Sequence, residues 1–320
     1  MKKDVCLVTG AAGFIGSTLA EKLIDLNYEV VGIDSFFNNY SREIKEKNIS
    51  QLKNKNKFVF FEGDILNSRY PFSFDEIDYV FHIAGIPGVR DSWGEKFKDY
   101  FNNNILATQN LLEKLSESNV KKLIYSSSSS IYGETEILPT PETVLPKPLS
   151  PYAASKLAAE NLMFLYGKKF KIPVVSLRLF TVYGPRQRPD LFFNKCISRI
   201  LRNEHVDIFG DGKQKRSYTY IDDVVNGFVG AMKESVQDDI FNIGGGESVS
   251  VNEIIDIIEK ILEEKAQRKF LPIMAGEPKE TFADFSKAKK EFGYNPKTKI
   301  KEGLINEINW IKENKCHLFY

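Results

Sequence analysis

The sequence predicts an α/β fold: a doubly wound parallel sheet with a smaller C-terminal substrate domain. Three observations carry this. β-branched apolar runs alternate with helical stretches through the first half of the chain. The first run enters a glycine turn, Gly10-Ala11-Ala12-Gly13-Phe14-Ile15-Gly16, which opens into an amphipathic segment. A second run, Glu29–Ile33, ends in Asp34, 18 residues past Gly16.

Each element follows from its own pattern. Strands are expected at Val5–Val8, Glu29–Ile33, Phe58–Phe61, Tyr79–Ile83, Leu123–Tyr125 and Pro173–Arg178. Helices are expected at Ser17–Leu26, Tyr100–Ser116 and Pro151–Phe170. Pro139, Pro141, Pro146 and Pro148 mark a long loop before the last of these, which Ser150 caps and Pro151 enters. Residues 1–178 form the dinucleotide-binding domain and 179–320 the substrate domain. In the second, strand, loop and helix interleave, with a clear helix at Val251–Glu263. Ser217–Ile221 and Ile240–Ile243 are candidates to return to the main sheet.

The glycine turn has a physical reading. Gly10 permits the turn, Gly13 lets the backbone approach a pyrophosphate, and Gly16 lets the helix lie close to the strand. The Asp34 carboxylate can accept hydrogen bonds from an adenosine ribose and would repel a 2′-phosphate, so the cofactor is expected to be NAD rather than NADP.

Composition narrows the classes. Lys+Arg 44 against Asp+Glu 43 gives a net charge of +1 and no general electrostatic reason to bind nucleic acid. Lys45–Lys57, the one basic cluster of note, reads as a solvated helix face and loop. Cys6, Cys196 and Cys316 are too few and scattered for a disulfide framework or a metal site, and Cys6 reads as a small buried hydrophobe. No apolar run spans a membrane and no signal-peptide pattern opens the chain, so it is expected to be cytoplasmic.

The proton chemistry lies in two segments. Tyr125-Ser126-Ser127-Ser128-Ser129-Ser130-Ile131-Tyr132-Gly133 places a serine run at the end of an apolar strand. In Ser150-Pro151-Tyr152-Ala153-Ala154-Ser155-Lys156, Tyr152 and Lys156 stand four apart and share a helix face. A phenol ordinarily titrates near ~10; an ammonium one turn away favours the phenolate. Tyr152 is therefore the candidate base for a sugar hydroxyl, while a cofactor takes the hydride.

With Gly63-Asp64-Ile65, His82-Ile83-Ala84-Gly85, Arg178–Asp190, Phe209–Gly212 and Asp284–Ala288 in order, the chain resembles the extended short-chain dehydrogenase/reductases. More narrowly, it resembles the NAD-dependent nucleotide-sugar epimerase/dehydratase family, whose first domain is a Rossmann fold. The resemblance implies that Ser128 hydrogen-bonds the sugar O4 and that Lys156 also holds the nicotinamide ribose. It assigns to NAD Gly10, Gly13, Phe14, Ile15, Gly16, Asp34, Asp64, Ile65, Ala84, Asn104, Tyr152, Lys156, Phe180 and Val182. Asp64 either meets the adenine or is a turn residue; Asn104 either positions the cofactor side or caps and packs. Arg216 is implied to hold the diphosphate, with Arg188 sharing that duty, and Phe209 to stack on uracil or serve the core.

An absence points to the reaction. Dehydratases and decarboxylases of the family carry an acid two or three residues before the Tyr-Gly, where this chain has Ser129, Ser130 and Ile131. Without it, return of the hydride to the opposite face of C4 is the remaining course: 4-epimerisation of a UDP-sugar. Pro87–Trp93 with Arg90, Arg186–Asp190 and Ala275-Gly276-Glu277-Pro278 resemble UDP-glucuronate 4-epimerases. Hydroxyls of Ser128, Ser129 and Thr181 could receive a C6 carboxylate or equally a CH2OH, and a small Thr281 leaves room for an N-acetyl group at C2. UDP-glucose and UDP-N-acetylglucosamine thus stay open as substrates, as do a dehydratase and a non-catalytic NAD-binding scaffold. The resemblance also implies a homodimer through the helices at Tyr100–Ser116 and Pro151–Phe170, with Leu111, Leu112, Leu157, Leu162, Phe164 and Leu165 supplying apolar surface.

Overall fold

The computed structural model describes residues 3–66, 69–236, 239–273 and 278–314. Strands β1 (Val5–Thr9), β2 (Glu29–Asp34), β3 (Phe58–Glu62), β4 (Tyr79–His82), β5 (Lys122–Ser128) and β6 (Val174–Leu179) form a parallel sheet. Three short strands follow in β7 (Val182–Tyr183), β8 (His205–Phe209) and β9 (Lys215–Ser217), then β10 (Thr219–Tyr220). β11 (Asp239–Ile243) returns to the sheet and pairs with β6, giving the order β11-β6-β5-β4-β1-β2-β3. Of the two candidate returning segments, Ile240–Ile243 joins the sheet and Ser217–Ile221 does not. The latter divides between β9, β10 and the next helix, because β9 pairs instead with β12 (Ser248–Ser250) and β14 (Glu280–Thr281). β13 (Gln267–Leu271) pairs with β8.

Helices cover both faces. α1 (Phe14–Asp25) and α2 (Arg42–Ser50) follow the first two strands. The expected helix over 100–116 is a composite: α3 (Phe97–Tyr100), a π-helical stretch Phe101–Leu106, and α4 (Ala107–Leu115). α5 (Pro151–Phe170) matches its expected range, with the Ser150 hydroxyl accepting from Ala153 N at 3.2 Å and Pro151 in the first turn. α6 (Phe192–Leu201), α7 (Ile221–Ala231), α8 (Val251–Leu262), α9 (Ser286–Phe292) and α10 (Ile300–Glu313) complete the chain.

Alternation along the strands splits the core in two. Cys6 and Val8 of β1 face one layer with α1, α6, α7, α8 and α10, while Leu7 faces the other with α4 and α5. Leu111 and Leu112 belong to that second core, 1% and 0% exposed. They are not surplus apolar surface, as their sequence pattern had suggested: the sheet face consumes them. Strand order reverses between β1 and β4, which opens a crevice at the carboxyl ends of these strands.

Candidate active site

The glycine turn at the end of β1 builds the first part of that crevice. Gly10 has φ +70°, and a Cβ there would lie 2.9 Å from Ala84 N. A Cβ at Gly16 would lie 2.1 Å from the Gly10 carbonyl, so α1 can pack against the turn only with glycine at that place. Asp34 joins β2 to the same turn: its Oδ2 accepts from Ala12 N at 3.0 Å and its Oδ1 from Phe36 N at 2.8 Å. Burial pushes the Asp34 carboxyl up from its ordinary value, opposed by the Phe36 N–H and then by the Lys45 charge.

Lys45 corrects the reading of its segment as solvated. It is buried, bonds the Phe37 carbonyl and Asn39 Oδ1, lies 4.5 Å above the Tyr40 ring, and lines the cleft. Burial drives its pKa to about 8 against the pull of Asp34. Asn48 is buried too, donating to the Ala12 carbonyl at 3.1 Å. Lys45 points inward because the loop after β2 brings it carbonyl and amide acceptors, and Asn48 because the glycine turn after β1 offers it the Ala12 carbonyl.

A cleft of about 460 Å³ runs from this turn to α5, lined by Gly10, Phe14, Ile15, Asp34, Asp64, Ile65, Ala84, Tyr152, Lys156, Phe180 and Val182 among others. Gly13 and Gly16 are not among its lining residues, and neither is Asn104. Asn104 is 1% exposed; its Oδ1 accepts from Ile86 N at 2.7 Å, and its Nδ2 donates to the Ile86 carbonyl and, at 2.9 Å, to Ser155 Oγ. It braces the cleft-lining segment after β4 against α5. The remaining residues fit a dinucleotide: a glycine cradle that a side chain at Gly10 would fill, a helix start beside it, and a carboxylate at the end of β2.

At the far end, Ser128, Tyr152 and Lys156 converge, only 7%, 9% and 6% exposed. Burial raises the Tyr152 pKa, opposed first by the neighbouring Ser128 hydroxyl and then by the Arg188 charge. Arg188 is thus a further positive charge acting on the phenol, beyond the Lys156 expected from the sequence. Lys156 is itself desolvated, with Nζ 4.6 Å over the Tyr125 ring, and burial drives its pKa down to about 7 against the Glu160 charge. Behind Tyr125 stacks His82, its ring nitrogens each 2.9 Å from a hydroxyl, of Thr9 and Thr108. Burial lowers the His82 pKa to about 3, so it forms a neutral wall.

A second cleft of about 400 Å³ adjoins the first and shares Ser129, Thr181 and Arg188 with it. Arg90, Phe209, Arg216 and Thr281 line it, so the substrate-side residues read from the sequence come together. Arg90 and Phe209 meet across it, guanidinium 4.0 Å over the ring. Arg216 donates to the Lys215 and Lys279 carbonyls. Arg188 pairs with Asp190 through Nε at 3.0 Å and through Nη2, while its buried Nη1 has no partner among the described residues. Of the segment 275–278, only Pro278 lies within the described residues, and it lines this cleft. Cys316 also lies outside them, and among the described residues no His, Cys, Asp or Glu cluster could hold a metal.

The description "NAD dependent epimerase/dehydratase family" matches residues 6–244, from the first strand through β11. The chain belongs to that family. It is 44% identical over 307 residues to a Bacillus subtilis protein named as an uncharacterized UDP-glucose epimerase, covering 95% of this chain and 97% of that one. It is 39% identical over 312 residues, 96% of each, to a UDP-glucuronate 4-epimerase of Thermodesulfobacterium geofontis. The solved UDP-glucuronic acid 4-epimerase of Bacillus cereus, in complex with UDP-glucuronic acid and NAD, is 45% identical with a TM-score of 0.93, covering 97% of this chain and 99% of that one.

In this epimerase/dehydratase frame, two residues stand out that the sequence reading passed over. Glu160 and Arg178 form a buried ion pair behind the serine turn, Arg178 Nη2 lying 2.6 Å from Glu160 Oε1 and Nε 3.1 Å from Oε2. The signal was available for Glu160. Tyr152, Lys156 and Glu160 recur at intervals of four on α5, so all three share one face.

Proposed function

We propose that the chain is a UDP-glucuronate 4-epimerase, interconverting UDP-glucuronate and UDP-galacturonate. The observation that carries this reading is the junction of the two clefts. Ser129, Ser130, Thr181 and Arg188 surround it beside Ser128 and Tyr152, and among the described residues none common to both clefts is a carboxylate. Such a junction offers hydroxyls to a sugar C6 carboxylate and no acid or base at C5.

NAD, when bound, accepts the C4 hydride and gives it back. The chain's own part is proton transfer and restraint. Ser128 and Tyr152, side by side at this end of the cleft, hold the O4 proton and pass it to the phenol oxygen. Their burial keeps water from competing for that proton. Arg188 supplies the positive charge that favours the phenolate. The missing carboxylate at 129–131 leaves the 4-keto sugar to turn and be reduced rather than eliminate or lose CO2.

The substrate phosphates belong in the second cleft, near Arg90 and Arg216, with Phe209 toward the uracil. Residues 1–178, with β11 added, form the cofactor domain, and the rest of 179–320 covers the sugar nucleotide. The protein works as a homodimer in the cytoplasm. Phe97, Phe101, Leu106, Phe164 and Leu165 on the composite helix and α5 are the exposed large apolar residues that a two-fold contact between these helices would cover.

Incubation of the purified protein with UDP-glucuronate, UDP-glucose and UDP-N-acetylglucosamine separately, with products identified by NMR, tests the reading. UDP-galacturonate with little CO2 is expected. A kcat/KM for either neutral sugar equal to that for UDP-glucuronate removes the uronate assignment, and a UDP-pentose as main product removes epimerisation.

A further inference from the structure

The ion pair behind the serine turn has more than a packing role. Ser127 and Arg178 are register partners on β5 and β6, and Glu160 reaches over both from α5. The Ser127 hydroxyl donates to Glu160 Oε2 at 2.7 Å. Arg178 Nη1 donates to the Tyr132 hydroxyl at 2.8 Å, and that hydroxyl donates to Asn242 Oδ1 at 2.8 Å. Ser127 and Tyr132 bracket the turn Ser129–Tyr132, whose first backbone N–H to be capped, Ser130 N, donates to Ser128 Oγ at 3.2 Å. The pair therefore grips both ends of the segment that aims Ser128 at Tyr152.

We propose that Glu160 and Arg178 are positioning residues for this site, fixing the Ser127–Tyr132 turn through its two ends and supplying the anion one helical turn from Lys156. The proposal deepens the epimerase reading of the same site and rests on it.

Two physical points support it. A buried ion pair contributes little net stability, since apolar side chains of similar volume commonly do as well. That nearly every donor and acceptor of the pair is satisfied points to geometric specification instead. The groups facing Lys156 also leave Glu160 without a competitor. Tyr152 and Glu160 are on its own helix, the neutral ring of Tyr125 is on β5, and neutral His82 is on β4. Asn104, on the π-helical stretch, carries no charge. Among the described residues the carboxylate acting on the ammonium is Glu160, and it favours the charged form.

Two variants test the proposal. Ser127→Ala cuts one link and leaves the ion pair intact. The double variant Glu160→Gln/Arg178→Met removes both charges together and strands neither. Each is assayed as NAD-loaded enzyme, with whichever UDP-sugar the wild type epimerises, across pH 6–10. Ser127→Ala is expected to lower kcat about 10-fold or more with KM little changed, as misplacement of a reacting group does. In the double variant the high-pH loss of kcat should move to lower pH by about one unit, because Lys156 has lost its anion. NAD affinity by calorimetry over the same range should move with it and needs no turnover. Wild-type kcat in Ser127→Ala, or an unmoved pH profile in a double variant that melts like the wild type, overturns the proposal. If the double variant does not fold, Ser127→Ala decides alone. A wild type inert toward every UDP-sugar would instead overturn the epimerase reading, and the calorimetric profiles would still decide the pair.

Discussion

Lys156→Met should stabilise the NAD-free protein while destroying its activity. The lysine is buried at the cleft wall, and its pKa falls from 10.5 in the free side chain to about 7 in the fold. Between these values the unfolded chain carries a proton that the folded chain does not, so stability rises with pH across that window. The penalty is absent above pH 10.5, grows as pH falls, and is complete below about pH 7. At about 1.4 kcal/mol per pH unit it approaches 5 kcal/mol at neutral pH. Methionine keeps the volume but forfeits the cation–π contact over Tyr125, worth ~1–2 kcal/mol when desolvated. The net gain is of the order of 3 kcal/mol, or roughly 4–5 °C in melting temperature for a chain of this length. Calorimetric melting of both proteins, stripped of NAD, at pH 7 and again near pH 10 provides the assay. The variant's advantage should be largest at pH 7 and nearly vanish near pH 10. An advantage independent of pH, or a variant less stable at pH 7, refutes the claim that Lys156 is held against a desolvation cost.

The remaining predictions are simpler. Tyr152→Phe should lower kcat by ~10³-fold or more with UDP-sugar affinity largely kept, and near-normal turnover removes its role. Asp34→Ala should weaken NAD binding by titration calorimetry and narrow its lead over NADP; a wild type that prefers NADP removes that assignment. Phe164→Lys with Leu165→Glu should leave folding intact and shift sedimentation from dimer to monomer, since both side chains are more than half exposed at 62% and 58%.

Much of the sheet was legible because each strand is a short, nearly uninterrupted apolar run, as parallel strands covered on both faces must be. α5 was legible to the residue because its start carries local chemistry, a serine cap followed by proline. The second half was harder for a physical reason. β7, β9, β10, β12 and β14 hold only two or three residues each and pair across long sequence separations, so no local periodicity announces them. The return of Ile240–Ile243 was foreseeable as an apolar run, but its place beside β6 depends on tertiary pairing. The π-helical stretch inside the composite helix leaves no mark in a pattern read at ordinary helical spacing.

The site was legible where function depends on residue type at a fixed local spacing: the glycine turn, Asp34, the serine run, Tyr152 and Lys156. It was not legible where polar residues turn inward to partners supplied by distant segments. Lys45 looks like a surface lysine until the loop after β2 places the Phe37 carbonyl and Asn39 around it. Arg178 looks like the end of a strand until Glu160, 18 residues earlier, meets it in the core. Charge signs in the site follow the same rule. Spacing alone pairs Tyr152 with Lys156, but burial decides what each charge can do. An enclosed ammonium over an aromatic ring has been moved toward neutrality, so its pull on the phenol depends on pH. Arg188, far along the chain from Tyr152, brings a further positive charge to the phenol, and only the folded geometry places it there.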